Sequence, residues 1–390
     1  MRKIVRIITR LNIGGPTIHI VLLTREMSVL GYETILVAGS CEAEDEDTSY
    51  LLQPQDPVLR IPEMSRSVHP WKNLRALWRL WRLMRQERPL IVHTHTAMAG
   101  CLGRIAAFLS GVPIIVHTFH GNSLRHYFPP VASRLFLAVE RTLARVTDAI
   151  CVVAPQQAEE LSDGFGIAPR SKFRVIPLGF ELDPYLSMPP PSVDSGLLTV
   201  GWLGRLVHVK NVSLLLAVVE ETLRRTDKVT FLVAGDGPEG GALRDATARF
   251  GSHLVWRGWE RDVPAFLSNC HILIQTSRNE GTPVALIQGM AAGRPFISTA
   301  VGGVVDMVSG PALRNGHGST WFSNAVLAES SPGAFADALL QFLRTPEVIS
   351  PMGLRGREFA MKRYSKERLL HNLDGLYREL LTQKLGHRSR

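Results

Sequence analysis

Apolar residues run along this chain in two alternating rhythms. KIVRIIT (residues 3–9) is a short apolar run of strand length. After Gly14 and Gly15 a helical spacing runs from about Thr17 to Leu30 and stops at Gly31. ETILVAG, PLIVHTH, PIIVHTFHG and AICVVA repeat the strand pattern, each followed by a helical stretch. Strict alternation of this kind predicts a parallel sheet covered by helices on both faces. PYLSMPPPSVDSG (residues 184–196), rich in Pro and Ser, interrupts the rhythm and reads as a linker. The alternation then restarts with LLTVGWLG, VTFLVAGDG, HLVWRGW, HILIQTS and PFISTA. The chain is therefore expected to hold two α/β domains in tandem. In such sheets ligands sit outside the carboxyl ends of the strands, and two linked domains would set those ends across a cleft.

Composition narrows the class. With 390 residues, 45% hydrophobic and 20% charged, the chain is ordinary for a globular protein of two or three domains. No uninterrupted apolar run reaches the about 18 residues of a membrane span. The start, MRKIVRIITRLNIGG, is basic and then apolar, but Arg6 and Arg10 interrupt it, so a buried first strand fits better than a signal peptide. A cytoplasmic protein is expected. Cys41, Cys101, Cys151 and Cys270 are scattered with no CxxC, which suits reduced thiols and neither a disulfide frame nor a zinc site. The net charge of +9 points to anionic partners: nucleic acid, acidic lipid or sugar nucleotides. The acidic run Glu44–Asp47 reads as a solvated loop.

Several short stretches can carry chemistry. Gly14 and Gly15, between the first strand and its helix, let backbone approach a ligand at a helix N-terminus. GWLGRLVHVKN (residues 201–211) follows the first strand of the second half, and its Arg205 and Lys210 can both reach one anion, a guanidinium fork and an ammonium point charge suited to pyrophosphate. AGDGPE (residues 234–239) is a candidate pocket wall on the same sheet edge. In SRNEGTPVALIQGMAAGRPFISTAVGG (residues 277–303), Thr282 is placed to cap a helix and Pro283 to occupy its first position. Glu280 then falls in the loop, with Gly281 after it, and Gln288 on the helix. His93, His95, His117 and His120 end two strands of the first half. They read as a polar cleft edge with His120 the most loop-like, and no Asp or Glu stands by to complete a metal site.

Taken in order, Gly14-Gly15, His120-Gly121, IPLG (176–179), GRLVHVKN, AGDGP, EGTPVALIQGMAAGRP and Gly302-Gly303 make the chain resemble the family 4 retaining glycosyltransferases of the GT-B fold, from about residue 3 to about residue 380. The resemblance implies an α/β architecture of two Rossmann-like parallel-sheet domains facing each other across a cleft. Residues 1–183 would bind the acceptor and residues 197–364 the donor nucleotide, joined by the linker 184–196. A C-terminal helix within 365–390 would pack back on the first domain. It further implies a transferase that needs no metal and no cofactor, moving a sugar from a nucleotide-sugar donor, with UDP the expected nucleotide, to an acceptor hydroxyl in cell-surface glycan or glycolipid synthesis. Arg205 and Lys210 match the residues that hold the donor pyrophosphate. Glu280 matches the first acid of an E-x7-E motif beside the donor sugar, and His120 the histidine near the reacting centre. Gly14, Gly15, Gly281, Thr282 and Pro283 would line the donor. Gln288 stands where the second acid usually bonds the ribose; an amide accepts at oxygen and donates at nitrogen, so that contact would survive in altered form. Asp306 after the Gly-Gly pair, where Glu is commoner, and the stretch SGPALRNGHGSTWFSNAVLAES are further departures.

Two other functions remain open at this point: a non-hydrolysing UDP-N-acetylglucosamine epimerase of similar architecture, and a non-catalytic nucleotide-sugar binder, which Gln288 motivates. A nucleic-acid partner is not expected, because the basic residues follow no recognition motif. The stretch HPWKNLRALWRLWRLMRQERP places Trp71, Leu74, Leu77, Trp78, Trp81 and Met84 on one apolar helix face, with Lys72, Arg75, Arg79, Arg82 and Arg85 supplying charge. One reading packs that face on the first sheet. The other lays the basic residues and a tryptophan on an anionic membrane surface at the inner face of the membrane, close to a lipid-linked acceptor.

Overall fold

In the first strand the side chains alternate between two cores: Ile4 packs on one face of the sheet, Val5 and Ile7 on the other. The computed structural model describes the chain except residues 13, 42–47, 49–50, 54–55, 57, 66–68, 122–129, 193–195 and 387–390. The acidic run at 44–47 therefore lies outside the described residues. The chain divides into two compact units, Met1–Phe180 with Lys366–Arg390, and Glu181–Ser365.

The first unit is a seven-stranded parallel sheet. Its strands are β1 (Arg2–Ile8), β2 (Tyr32–Ala38), β3 (Val58–Arg60), β4 (Ile91–His95), β5 (Ile114–Phe119), β6 (Ala149–Val152) and β7 (Phe173–Val175), in the order β3-β2-β1-β4-β5-β6-β7. Helices α1 (Gly15–Glu26), α2 (Pro70–Glu87), α3 (Ala97–Leu109), α4 (Pro130–Val146) and α5 (Pro155–Glu159) connect them. On one face Ile4, Ile91 and Ile114 meet Leu23 of α1 and Leu369, Leu373, Tyr377 and Leu380 of the C-terminal helix, Lys366–Gly386. On the other, Val5, Val92 and Ile115 meet Leu80 and Leu83 of α2 and Leu102 and Ala106 of α3. With both faces covered, the strands read as continuous apolar runs. The order reverses between β1 and β4, so the carboxyl ends of these two strands open a crevice.

Helix α2 departs from the sequence expectation. The residues turned inward are Ala76, Leu80, Leu83 and Met84, whereas Trp71, Leu74, Trp78 and Trp81 are exposed. The helix carries two apolar stripes, and the one of smaller side chains is the one packed against α3 and the sheet.

The second unit repeats the plan. Its strands are β8 (Leu198–Leu203), β9 (Val229–Ala234), β10 (Leu254–Trp256), β11 (Ile272–Gln275), β12 (Phe296–Thr299), β13 (Arg314–Gly316), β14 (Ser319–Trp321) and β15 (Ala325–Ala328). They are ordered β10-β9-β8-β11-β12-β15-β14-β13, parallel as far as β15, after which β14 and β13 run antiparallel. The helices are α6 (Asp183–Leu186), α7 (Val212–Leu223), α8 (Gly240–Phe250), α9 (Val263–Ser268), α10 (Val284–Ala291), α11 (Pro332–Arg344) and α12 (Ile349–Tyr364). The fully buried Trp202 anchors the core with Leu215, Val219, Phe231, Ile274 and Phe342. The switch in strand order falls between β8 and β11. The stretch after Asp306 that departs from the family pattern is the β13–β15 meander.

Residues 184–192 are not a free connection. The carbonyls of Met188, Pro189 and Ser192 accept from Arg357 (2.6 Å), Arg294 (2.7 Å) and His271 (3.1 Å), all within the second unit. Pro and Ser mark the absence of regular structure here, but the carbonyls are tied down by side chains.

Candidate active site

At the switch point of the second unit, β8 runs into Gly204 and Arg205 and then into a helical turn, His208–Lys210. Asn211 leaves that turn in the left-handed region (φ 56°) and starts α7. Its side chain accepts from Arg278 at 2.8 Å, and the Arg278 amide bonds the Val209 carbonyl at 2.8 Å, so the loops after β8 and β11 are tied together. This brings Lys210 Nζ to 2.6 Å from Glu280 Oε1. The same oxygen accepts from Ser277 Oγ at 2.5 Å and from Gln275 Nε2 at 3.1 Å. Trp202 Nε1 reaches Thr276 Oγ1 (3.3 Å), which donates to the Lys210 carbonyl (3.0 Å) and fixes the lysine's backbone. The resemblance gave Lys210 to the pyrophosphate and Glu280 to the sugar as separate elements; in the structure they are one ion pair.

The Glu280 loop is seated by glycines. Gly302, with φ 50°, approaches so closely that a Cβ would lie 1.9 Å from the Glu280 carbonyl oxygen, and at Gly303 one would lie 1.8 Å from that of Gly281. The amide of Gly303 bonds the Glu280 carbonyl at 3.2 Å. Held this way, the loop bends at Gly281 and reaches Pro283 in extended backbone. Helix α10 begins at Val284, with Pro283 (ψ 116°) as the flanking residue, and Thr282 makes no capping bond. The expected Thr282 cap is therefore replaced by packing against Gly302 and Gly303. Gly235 makes the corresponding approach to Gly204: with φ 130°, its Cβ would lie 1.8 Å from the Gly204 carbonyl. AGDGPE thus forms the wall beside Arg205. Asp306 lies in the helical turn Gly302–Met307.

Gln288, in the second turn of α10, donates from Nε2 to the Tyr185 hydroxyl at 2.8 Å. Tyr185 is buried on α6, in the segment read as linker, and burial pushes its phenol up to about 12. Sequence reasoning missed this residue: PYL in a Pro-rich stretch carries no sign that it faces a helix a hundred residues on. With its nitrogen engaged, the amide presents its oxygen as the remaining acceptor.

In the first unit the histidines form a buried column. His93 and His95 stack with centroids 4.3 Å apart, and His95 Nδ1 lies 2.9 Å from His120 Nε2. Tyr377 Oη (2.6 Å) and Arg6 Nη1 (3.3 Å) face His93 Nδ1, and Thr118 Oγ1 lies 2.7 Å from His93 Nε2. A guanidinium only donates, so Nδ1 is the acceptor and the proton sits on Nε2. His19 of α1 completes the group, its ring 5.2 Å from that of His120. His117 leaves it: it bonds Thr94 Oγ1 at 2.8 Å and faces Gly100 of α3 on the other side of the sheet. His93, His95 and His117 are fully buried, which corrects the expectation of a polar edge; only His120 is part-exposed. His19 was not anticipated, because one histidine inside a helical pattern carries no signal until the topology sets α1 over the ends of β4 and β5.

Burial drives these imidazoles down, His120 to about 4 and His19, His93 and His95 well below the ordinary value, with the Arg6 charge adding to the effect on the last three. All are neutral near pH 7. His19, His95 and His120 each offer one ring nitrogen within 4.8 Å of the others, and among the described residues they form the one such group able to hold a metal ion. The guanidinium groups of Arg6 and Arg368 act on His19 and oppose a cation there. A neutral or anionic hydroxyl-bearing group suits this corner better. Pro16, Thr96, Phe119, His120, Gly121 and Leu161 help line a cavity of about 240 Å³; Gly14 caps and Gly15 begins α1, and neither lines it.

Residues 14–179 match a family model described as a glycosyl transferase 4-like domain, and residues 198–345 one described as glycosyl transferases group 1. The chain belongs to these glycosyltransferases, and its two parallel-sheet α/β units have the GT-B fold. A UDP-Gal:alpha-D-GlcNAc-diphosphoundecaprenol alpha-1,3-galactosyltransferase of Escherichia coli is 26% identical over 300 residues, covering 72% of this chain and 75% of its own. A sucrose-phosphate synthase of Thermosynechococcus elongatus superposes with a TM-score of 0.78 at 19% identity, over 98% of this chain and all of the other. HepE of Anabaena, solved with UDP, gives 0.77 at 17%, over 97% of this chain and all of its own.

Proposed function

We propose that this protein transfers a sugar from a UDP-sugar to an acceptor hydroxyl in the assembly of a cell-surface glycan or glycolipid, with retention at the anomeric carbon and without a metal ion. The observation that carries the reading is the Lys210–Glu280 pair at the switch point of the second unit, 2.6 Å apart, in the loops that follow β8 and β11. Support for UDP comes from HepE, a structural neighbour solved with UDP and with UDP-glucose. Support for a glycan on a lipid carrier comes from the Escherichia coli relative, whose name states a diphosphoundecaprenol-linked acceptor.

In this reading the bond between the anomeric carbon and the β-phosphate oxygen breaks, and its electron pair leaves with UDP. Arg205 and Lys210 stabilise the charge developing on the diphosphate, the place where fixed positive groups lower the barrier most. These two side chains supply what a divalent cation supplies elsewhere. Glu280 keeps Oε1 on Ser277 and Gln275 and turns Oε2 to a sugar hydroxyl; among the described residues Oε2 has no partner. The acceptor oxygen attacks from the face the diphosphate leaves, and its proton passes to the departing phosphate oxygen. For the acceptor the reading assigns the first unit, where neutral His120 stands in the cavity wall and accepts or donates a hydrogen bond without carrying charge.

A thermal-shift series with UDP, ADP, GDP and their sugar conjugates tests the donor assignment, because a ligand that binds only the folded state raises the melting temperature. UDP and at least one UDP-sugar should raise it, and Lys210→Ala should abolish the rise. An epimerase would instead convert a UDP-sugar to its isomer with no acceptor present, and a binding protein would leave the donor intact with every acceptor.

A further inference from the structure

Helix α2 carries an apolar face that nothing among the described residues of its own unit covers. Trp71 is 73% exposed, Leu74 56%, Trp78 54% and Trp81 38%. At 100° per residue these four fall on one side of the helix, opposite the packed Ala76, Leu80 and Leu83. The patch continues onto the end of α3, where Phe108 and Leu109 are each 60% exposed; the two helices are joined there by Ser110 Oγ, 3.4 Å from the Trp81 carbonyl. Arg75, Arg82 and Arg85 are exposed on the same side, and the Arg82 guanidinium lies 5.5 Å from the Trp78 ring centroid. Arg79 is turned away, paired with Glu63 at 3.0 Å.

We propose that this α2–α3 face docks on an anionic lipid bilayer, with Trp71, Trp78 and Trp81 at the headgroup level and Arg75, Arg82 and Arg85 on the lipid phosphates. Charge complementarity selects this occupant over a second copy of the chain. The patch interleaves arginines with tryptophans and carries no acid between Trp71 and Arg85, so two copies face to face would bring like charges together. Tryptophan and arginine are also the residues that settle at a membrane–water boundary, an amphipathic ring at the interface and a guanidinium on a phosphate. No helix among the described residues is long and apolar enough to cross a membrane. The contact is therefore superficial and reversible, and it sets the protein on the surface that bears a lipid-linked acceptor. It extends the function proposed above but is measured without donor or acceptor, so either can fail alone.

The test is co-sedimentation of the full chain with phosphatidylcholine vesicles, with and without phosphatidylglycerol, at low and high salt, alongside tryptophan emission. Binding should require phosphatidylglycerol, weaken as salt rises, and shift the emission to the blue. Replacing Arg75, Arg82 and Arg85 together by Gln should weaken it on the order of a hundredfold, at about fivefold per basic residue. Trp71→Ser with Trp78→Ser should weaken binding and shrink the blue shift to what Trp81 contributes, at unchanged melting temperature, since both side chains are exposed. Recovery in the supernatant with every vesicle would overturn the proposal. So would a concentration-dependent dimer that the Trp71→Ser, Trp78→Ser variant dissolves, for then a second copy covers the patch.

Discussion

The amide of Gln288 donates to the hydroxyl of Tyr185 at 2.8 Å, joining a helix of the second unit to the turn that opens that unit. The bond fixes which end of the amide is left for a ligand, so Tyr185 is a positioning residue for whatever Gln288 touches.

Gln288→Ala should weaken UDP by about 1 kcal/mol, the scale of one neutral hydrogen bond. Tyr185→Phe should weaken it by a similar amount by freeing the amide to rotate, and the double variant should lose little more than either single one. Calorimetric titration with UDP and with 2′-deoxy-UDP checks this. Equal deoxy penalties in wild type and in Gln288→Ala would show that the residue does not read the ribose.

Lys210→Ala leaves the Glu280 carboxylate, nearly buried, without its cation. Melting temperature and UDP affinity should both fall, because removing one partner strands the other charge. Lys210→Met combined with Glu280→Gln should recover melting temperature without recovering affinity. Glu280→Gln alone should keep UDP binding nearly intact and lower turnover. A correctly folded Glu280→Gln that turns over normally removes Glu280 from the chemistry.

The neutral histidines predict a pH dependence of stability. His120 titrates near 4 in the folded chain, below the ordinary value of 6.5. Between those values the unfolded chain binds more protons, so stability rises with pH through that window and is level above it. His19, His93, His95 and His117 act in the same direction. Denaturant midpoints measured from pH 4 to 8 should rise and then flatten. His120→Asn should reduce the slope by at most about 1.4 kcal/mol per pH unit, the value for one proton, and less where solvent reaches the ring.

Gly303→Ala sets a Cβ against the Gly281 carbonyl. Backbone cannot yield as a side chain does, so about 1–3 kcal/mol of stability should be lost. UDP affinity should fall with it, since the Glu280 loop rests there. Chemical denaturation and UDP titration on the same preparation check both.

Most of the long strands and the tandem α/β plan were legible because buried parallel strands leave unbroken apolar runs such as AICVVA and FLVA. The three-residue edge strands β3 and β7 were not, since VLR and FRV are too short to hold a period. Nor was β13–β15, whose turn residues looked like a loop. On the site side, Arg205, Lys210, Glu280 and Gln288 were singled out by motif, but not the Lys210–Glu280 bond, because spacing along a chain does not give distance across a sheet. Tyr185 and His19 escaped for the same reason. The face of α2 was misjudged because its periodicity marks two apolar stripes and cannot say which one the sheet takes.

The central claim is retaining transfer from a UDP-sugar. Its most direct measurement is proton NMR of the anomeric centre when the protein is given α-linked UDP-sugars and lipid-linked glycan acceptors without added metal. The account predicts one UDP released for each new glycoside, with the small anomeric coupling of an α product for gluco- or galacto-configured sugars. A β product, or an isomerised UDP-sugar with no UDP released, would contradict it.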